Sequence, residues 1–441
     1  MKKTLLLLVT LLVALAAKAV DYKVLDTRYG LLYTSYVVEY TSVAADGETP
    51  MQISGVVSIP TAFIFGSPDV LVVDSHHTVC DNASVPSVMG STMSGMALAG
   101  LFPMAATDYV GYGITKDLRH PYLCQEQNAR NSLDIVPVAL DILAQNEITP
   151  KMLYNIGYSQ GGGVSLAALK LLENDAQYTE LKKQFPWGVH TVCGSGPYDP
   201  VATGKDIYAK EEKVTFPAVL PLLVNGFLSG ASAELTQGLK FADFFQPVLT
   251  TPATLMNPNG EKVEYPGLED VLAQKVAGND SVSMLMVMAT GGKMGLADFF
   301  SADMMNKESD TYTRFFTWLE ENNLCTGWKP EGEVSLFHLV EDDIVTSENT
   351  VLASDGLGIA KDRVFLVNEA DLGISGDNKH TQFAIPFFAS VLEIINGSLT
   401  DLDVIETQLD VDAPCYDLQG RQVGEDYRGI VIQGGRKVTR R

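Results

Sequence analysis

The chain has 441 residues, 46% hydrophobic and 19% charged, with 54 acidic against 31 basic side chains and a formal charge of −23. Such fractions belong to folded globular proteins, so wholly disordered, collagen-like and coiled-coil readings are excluded, and a chain this long builds a core without staples. The negative charge repels a phosphate backbone and an anionic bilayer surface, which argues against nucleic acid as a partner and leaves neutral or cationic small molecules.

Residues 1–19 read as a secretory leader. Lys2 and Lys3 precede an apolar stretch over 5–17, and Ala17-Lys18-Ala19 offers small residues for cleavage after Ala19. That stretch is too short to span roughly 30 Å of hydrocarbon. Cleavage removes three lysines and leaves the mature chain at −26. No lipid-attachable cysteine stands there. No later stretch offers 18 uncharged apolar residues, so the mature protein is expected to be exported and soluble, without a transmembrane helix. Five cysteines leave at least one unpaired in an exported chain. Cys80 with Cys124 is the pair that loops at one sheet edge could bring together. Buried free thiols are the alternative.

Residues 22–59 alternate in strand fashion around a turn at Ala45-Asp46-Gly47, as an antiparallel meander does. The continuous apolar run 70–73 suits a strand covered on both faces, and 104–106 resembles it. A helix follows over 125–145, with Leu133, Val136, Leu140 and Leu143 on one face, and Pro137 is expected to kink or split it. Residues 153–156 form a further strand, followed by a Gly-rich turn and a helix over 162–173. Strands over 189–193, 334–340 and 363–367 complete an alternation that means βαβ units and a mostly parallel sheet. Between about 200 and 330 the rhythm breaks into helical stretches at 216–228, 268–276 and 311–322, and six of the fourteen methionines lie between Met284 and Met305. This block shows no strong strand signal and reads as an inserted helical cap. After about residue 400 short strands at 415–418 and 429–432 read as a small β appendage, outside a main domain spanning 20–400.

Gly157-Tyr158-Ser159-Gln160-Gly161 has the form G-x-S-x-G, between an apolar strand and a helix, where the two glycines suit the crowded turn that lifts a serine above a sheet edge. A hydroxyl needs a base beside it to act as a nucleophile at neutral pH. On a doubly wound sheet the acid and then the histidine follow the serine. Of six histidines, His190 comes too early and His338 lies inside a strand. His380 remains, in a polar loop before an apolar segment. Glu341-Asp342-Asp343 follows the strand at 334–340, and Asp342 is the first candidate for the orienting acid, Asp343 the next. One oxyanion donor is the backbone N–H of Gln160 at the helix start. The other is sought in Asp74-Ser75-His76-His77-Thr78. The pair His76-His77 does not read as a metal site, because adjacent side chains point apart and no carboxylate-rich partner motif accompanies them.

Asp108-Tyr109 with Gly111 and Gly113, His120-Pro121-Tyr122, Gly157 to Gly163, His338-x-x-x-Asp342-x-x-Val345 and His380 together resemble the secretory lipase and esterase branch of the α/β-hydrolases, whose core is similar to that of prolyl-oligopeptidase-type peptidases. The resemblance covers about residues 50–395. It implies an α/β fold with an inserted cap, a Ser159–His380–Asp342 triad and no metal or organic cofactor. The family's His-Gly-Thr oxyanion step has His77 in place of glycine here, which carries the second donor to the N–H of Thr78. Thr346 stands where the family often has proline. The segment 416–432 resembles the C-terminal segments of exported Bacteroidetes proteins. The expected activity is hydrolysis of a small-molecule carboxylic ester. A serine exopeptidase, or a non-catalytic surface binding protein on the same fold, is the alternative.

Overall fold

The computed structural model describes residues 20–406 apart from 65, 93–95 and 211, and within the C-terminal segment 415–417, 422–424, 429–433 and 436–440. The expected leader lies outside the described residues. The chain divides into two compact units, the first reaching Phe388 and the second starting at Ala389.

The first unit is built on a nine-stranded sheet. Strands β1 (Tyr22–Tyr29), β2 (Tyr33–Val43) and β3 (Pro50–Pro60) form the expected antiparallel meander, and β3 pairs antiparallel with β5 (Met104–Thr107). From β5 onward all pairs are parallel: β4 (Val70–Ser75), β6 (Met152–Tyr158), β7 (Gly188–Gly194), β10 (Glu333–Leu339) and β11 (Val364–Val367) follow in that order. Every residue of β4 and β6 is buried, as strands covered on both faces require. Helices α1 (Gln125–Gln145) and α2 (Gln160–Asn174) supply Leu133, Val136, Leu166 and Leu169 to the core that includes Leu71 and Val73 of β4.

Helix α1 runs unbroken through Pro137, so the expected split does not occur. Val136 and Val138 are fully buried on either side, and that packing outweighs the missing hydrogen bond.

Between β7 and β10 lies the cap, with α3 (Pro200–Ala209), α4 (Val219–Gly230), α5 (Asn279–Ala289) and α6 (Asp310–Glu321) among its helices. Side-chain caps set the starts of α3 and α6. Asp199 accepts from the N–H groups of Val201 and Ala202, and Ser309 from that of Tyr312. The cap also contains a hairpin that the sequence reading did not anticipate, β8 (Ala253–Met256) paired with β9 (Lys262–Tyr265). Its strands are short and largely exposed, so no apolar alternation marks them. The turn is the readable part: Asn257 Oδ1 accepts from the N–H groups of Asn259 and Glu261, and Gly260 takes φ 82°.

Cys80 and Cys124 are free, buried thiols, not a disulfide. Cys124 Sγ faces the carbonyl of Gly226 in α4, 3.7 Å away, and Cys80 lies near Lys275 of the cap. Burial pushes both thiols up to about 12. The last long helix, α7, spans Lys379–Glu406. The second unit holds a four-stranded antiparallel sheet in which 415–417 pairs with 422–423 and with 429–433, and the last pairs with 436–440.

Candidate active site

Strand β6 ends at Tyr158 and α2 starts at Gln160, leaving Ser159 alone to make the turn at φ 58° and ψ −122°. A residue with a side chain rarely adopts that conformation, which costs about 1–3 kcal/mol and must be held by its surroundings. The neighbours hold it. Ser159 N–H donates to the carbonyl of Gly194 at 2.8 Å. A Cβ on Gly157 would lie 2.1 Å from the carbonyl oxygen of Gly161, and one on Gly161 would lie 1.8 Å from that of Ser75. Any larger residue at either position would push the serine out of place.

Ser159 Oγ lies 2.8 Å from His380 Nε2, and His380 Nδ1 lies 2.6 Å from Asp342 Oδ2. All three side chains are largely buried. Asp342 Oδ1 accepts from the N–H groups of Ile344 and Val345 at 3.0 and 2.8 Å. Burial alone would raise the Asp342 carboxyl. The nearby His380 and His338 rings and the backbone donors outweigh it and hold the group below the usual carboxylate range. An ionised Asp342 accepts the Nδ1–H of His380, which leaves Nε2 as the acceptor for the serine proton.

His380 stands in the first turn of α7, where the sequence suggested a loop. Asp343 fixes that turn by accepting from the N–H groups of Lys379 and His380 at 3.2 and 3.0 Å. Asp343 therefore holds the backbone of His380, not its ring. His338 is a partner that chain order could not reveal. Its Nε2 donates to the carbonyl of Val345 at 2.9 Å and lies 3.6 Å from Asp342 Oδ2, while Nδ1 accepts from Thr350 Oγ1 at 2.8 Å. Asp342 is thus held between two imidazoles.

The N–H of Gln160 opens α2 beside the serine, at the positive end of the helix dipole. Ser75 pairs with Gly157, so the segment that follows β4 leaves the sheet beside the elbow. Within it Thr78 is tied by Oγ1 to the Tyr122 hydroxyl at 2.9 Å, and its carbonyl accepts from Asn279 Nδ2 of the cap at 2.8 Å. Burial, helped by His76 and His380, lowers the pKa of His77 to about 4. His76 has its ring nitrogens 2.7 and 3.3 Å from the carbonyls of His77 and Asp108, and no group of three or more His, Cys, Asp or Glu among the described residues could hold a metal ion.

The most apolar residues of the cap do not face an open pocket: Leu220, Leu223, Phe227 and Met286 fill the cap's own core with Phe244, Phe315 and Trp318. A helix as apolar as α4 is buried all round from Leu220 to Phe227, so hydrophobicity alone could not say which face meets a ligand. Phe216 is only partly buried. It lines a narrow cleft with Val219 of the cap and Asp343 and Ile344 of the acid loop.

No protein-family model and no curated protein matches the sequence. Solved structures do match the fold. The rice cell wall degrading esterase LipA from Xanthomonas oryzae is 19% identical over 85% of this chain and 96% of its own, with a TM-score of 0.59, and a point variant of it reaches 0.62 at 17% identity over 85% and 98%. A Legionella pneumophila protein described as a hydrolase is 18% identical over 86% of this chain and 97% of its own, with a TM-score of 0.63. The mostly parallel sheet, the strand–Ser–helix turn and these likenesses define an α/β-hydrolase fold.

Proposed function

We propose that the protein is an exported serine hydrolase that cleaves small-molecule carboxylic esters. The observation that carries this reading is the unbroken Ser159–His380–Asp342 hydrogen-bonded chain on a strained turn at the end of the sheet. In the reaction His380 Nε2 takes the Ser159 proton as Oγ attacks the ester carbonyl. The backbone N–H groups of Gln160 and Thr78 hold the oxyanion, each contributing about 3 kcal/mol. Asp342 steadies the imidazolium, which then protonates the departing alkoxide. Water, activated by the same His380, releases the acid. The steps use no metal or organic cofactor. Export rests on the Lys2-Lys3 start and the apolar run over 5–17, with residues 20–400 as the catalytic domain and 401–441 as a tail of the exported-protein kind.

A panel of p-nitrophenyl esters of rising chain length, run beside aminoacyl-anilides, tests the reading. Turnover of esters in preference to anilides, with fluorophosphonate labelling at Ser159 that disappears in Ser159→Ala, is the expected result. Preference for anilides would make the chain a peptidase. Neither labelling nor turnover would leave a binding protein on this fold.

A further inference from the structure

One tripeptide outside the triad touches both halves of the oxyanion site. His120, Pro121 and Tyr122 follow the short turn after β5, and the N–H of Tyr122 donates to the carbonyl of His120 at 2.9 Å. A bond across two residues is a γ-turn, and the fixed φ of Pro121 suits its centre. Asn128 Nδ2, on α1, donates to the Pro121 carbonyl at 2.9 Å and anchors the turn to the core. The turn sends the two flanking side chains to different partners. Tyr122 reaches Thr78 Oγ1 at 2.9 Å. His120 Nε2 reaches the Gln160 side-chain nitrogen at 2.7 Å.

The proton positions on His120 follow from its partners. Nδ1 lies 2.8 Å from the carbonyl of Val110, which can only accept, so Nδ1 carries the hydrogen. A neutral ring then offers a lone pair at Nε2, and the Gln160 amide donates to it. The ring is buried between Tyr109 and Tyr112, with centroids 5.7 and 5.0 Å away, and burial lowers its pKa to about 3. It stays neutral wherever the enzyme would work, and the Gln160 side chain is held in one orientation.

We infer that the His120-Pro121-Tyr122 turn is a clamp on the oxyanion hole, with His120 positioning Gln160 and Tyr122 positioning Thr78. This rests on the reading of Ser159 as the nucleophile. Neither residue touches the substrate. Each fixes the side chain of a residue whose backbone N–H must meet the developing oxyanion, and a donor displaced by a few tenths of an ångström stabilises the transition state less while substrate binding is little changed.

The experiment uses two double-mutant cycles in the full chain, Tyr122→Phe with Thr78→Val and His120→Phe with Gln160→Met. It reads kcat and KM on a p-nitrophenyl ester and the affinity of a trifluoromethyl ketone, which forms a tetrahedral adduct on the serine. Each single substitution is expected to lower kcat about tenfold with KM within about twofold, and to weaken the ketone by a matching factor. Each double variant is expected to be no worse than its poorer single, because both changes remove one bond. Tyr122→Phe keeps the ring and the packing, so the first cycle stands even if His120→Phe fails to fold. Losses confined to KM, ketone affinity unchanged while kcat falls, or single losses that multiply in the doubles would each overturn the clamp in an active enzyme. A wild-type chain that neither labels at Ser159 nor hydrolyses any ester overturns the nucleophile reading itself, and the clamp with it.

Discussion

The strand ends and the cap are both buried, and they are held by opposite kinds of interaction. Around Ser159 the interior is polar: Asp74, His76, Asp108, His120, His338, Asp342 and His380 are all buried there. These groups are placed by directional bonds, such as the 2.6 Å contact between His380 and Asp342. The cap interior is aromatic. Phe227 has the rings of Phe244, Phe315 and Trp318 at 5.6 to 5.8 Å, in mostly edge-to-face arrangements. Directional bonds fix atoms to a few tenths of an ångström and are costly to leave half made. Aromatic packing sums many weak contacts, so it stabilises a layer without dictating where any one atom must be. Changes within the triad that keep a hydrogen-bonding group should therefore alter rate more than stability, and changes in the cap core should do the reverse.

The largest expected effect separates two adjacent acids. Asp342→Asn removes the charge that orients His380 and is expected to lower kcat by about 10⁴, the cost of the same loss in a serine-protease triad, with a melting temperature close to wild type. Asp343→Asn keeps one oxygen acceptor for the α7 turn and is expected to stay within about tenfold of wild type. Steady-state kinetics on one ester settles the ranking, and the reverse order would move the orienting role to Asp343.

Next comes the cap. Phe227→Ala should lose about 3–5 kcal/mol of stability, read by chemical denaturation, while the folded protein, acting on esters as proposed, keeps its acyl chain-length preference. A selective loss on octanoyl esters with unchanged stability would show that Phe227 faces the substrate.

A pH-dependent effect of similar size tests the polar interior. Asp74, at the end of β4, accepts from Thr92 Oγ1, and burial pushes its carboxyl up to about 7. A folded-state value above the unfolded one means that the stability it contributes is complete below pH 3.8 and is lost as pH rises through about 7. Asp74→Asn cannot ionise. Its stability relative to wild type should therefore climb by about 1.4 kcal/mol per pH unit across that window and level off above it. Melting curves from pH 4 to 8 check this, and a flat difference would mean that Asp74 ionises freely in the fold.

The same contrast governs what the sequence disclosed. The turn at Ser159 was legible because its signal is local: a buried strand, two glycines with no room for a side chain, and a helix. His380 and Asp342 were legible because parallel strands deliver their following loops to one edge, so chain order limits the choices. The bonds that refine the site join residues far apart in sequence, His120 to Gln160 and Tyr122 to Thr78, and no periodicity announces them. His338 was set aside as a strand residue, which it is, yet its ring still reaches the acid. In the cap the hydrophobic pattern identified buried helices and could not say which faces meet each other. The free Cys80 and Cys124 show the same limit, since two loops near one edge need not bring two sulfurs together.

The central claim is that Ser159 becomes covalently acylated. Rapid-quench mass spectrometry during turnover of a p-nitrophenyl ester tests it directly. The expected result is a burst of nitrophenol matched by an acyl adduct on the peptide carrying Ser159, absent in Ser159→Ala and long-lived in His380→Ala wherever it forms. Ester turnover that persists in Ser159→Ala, or an adduct on any other residue, would contradict the account.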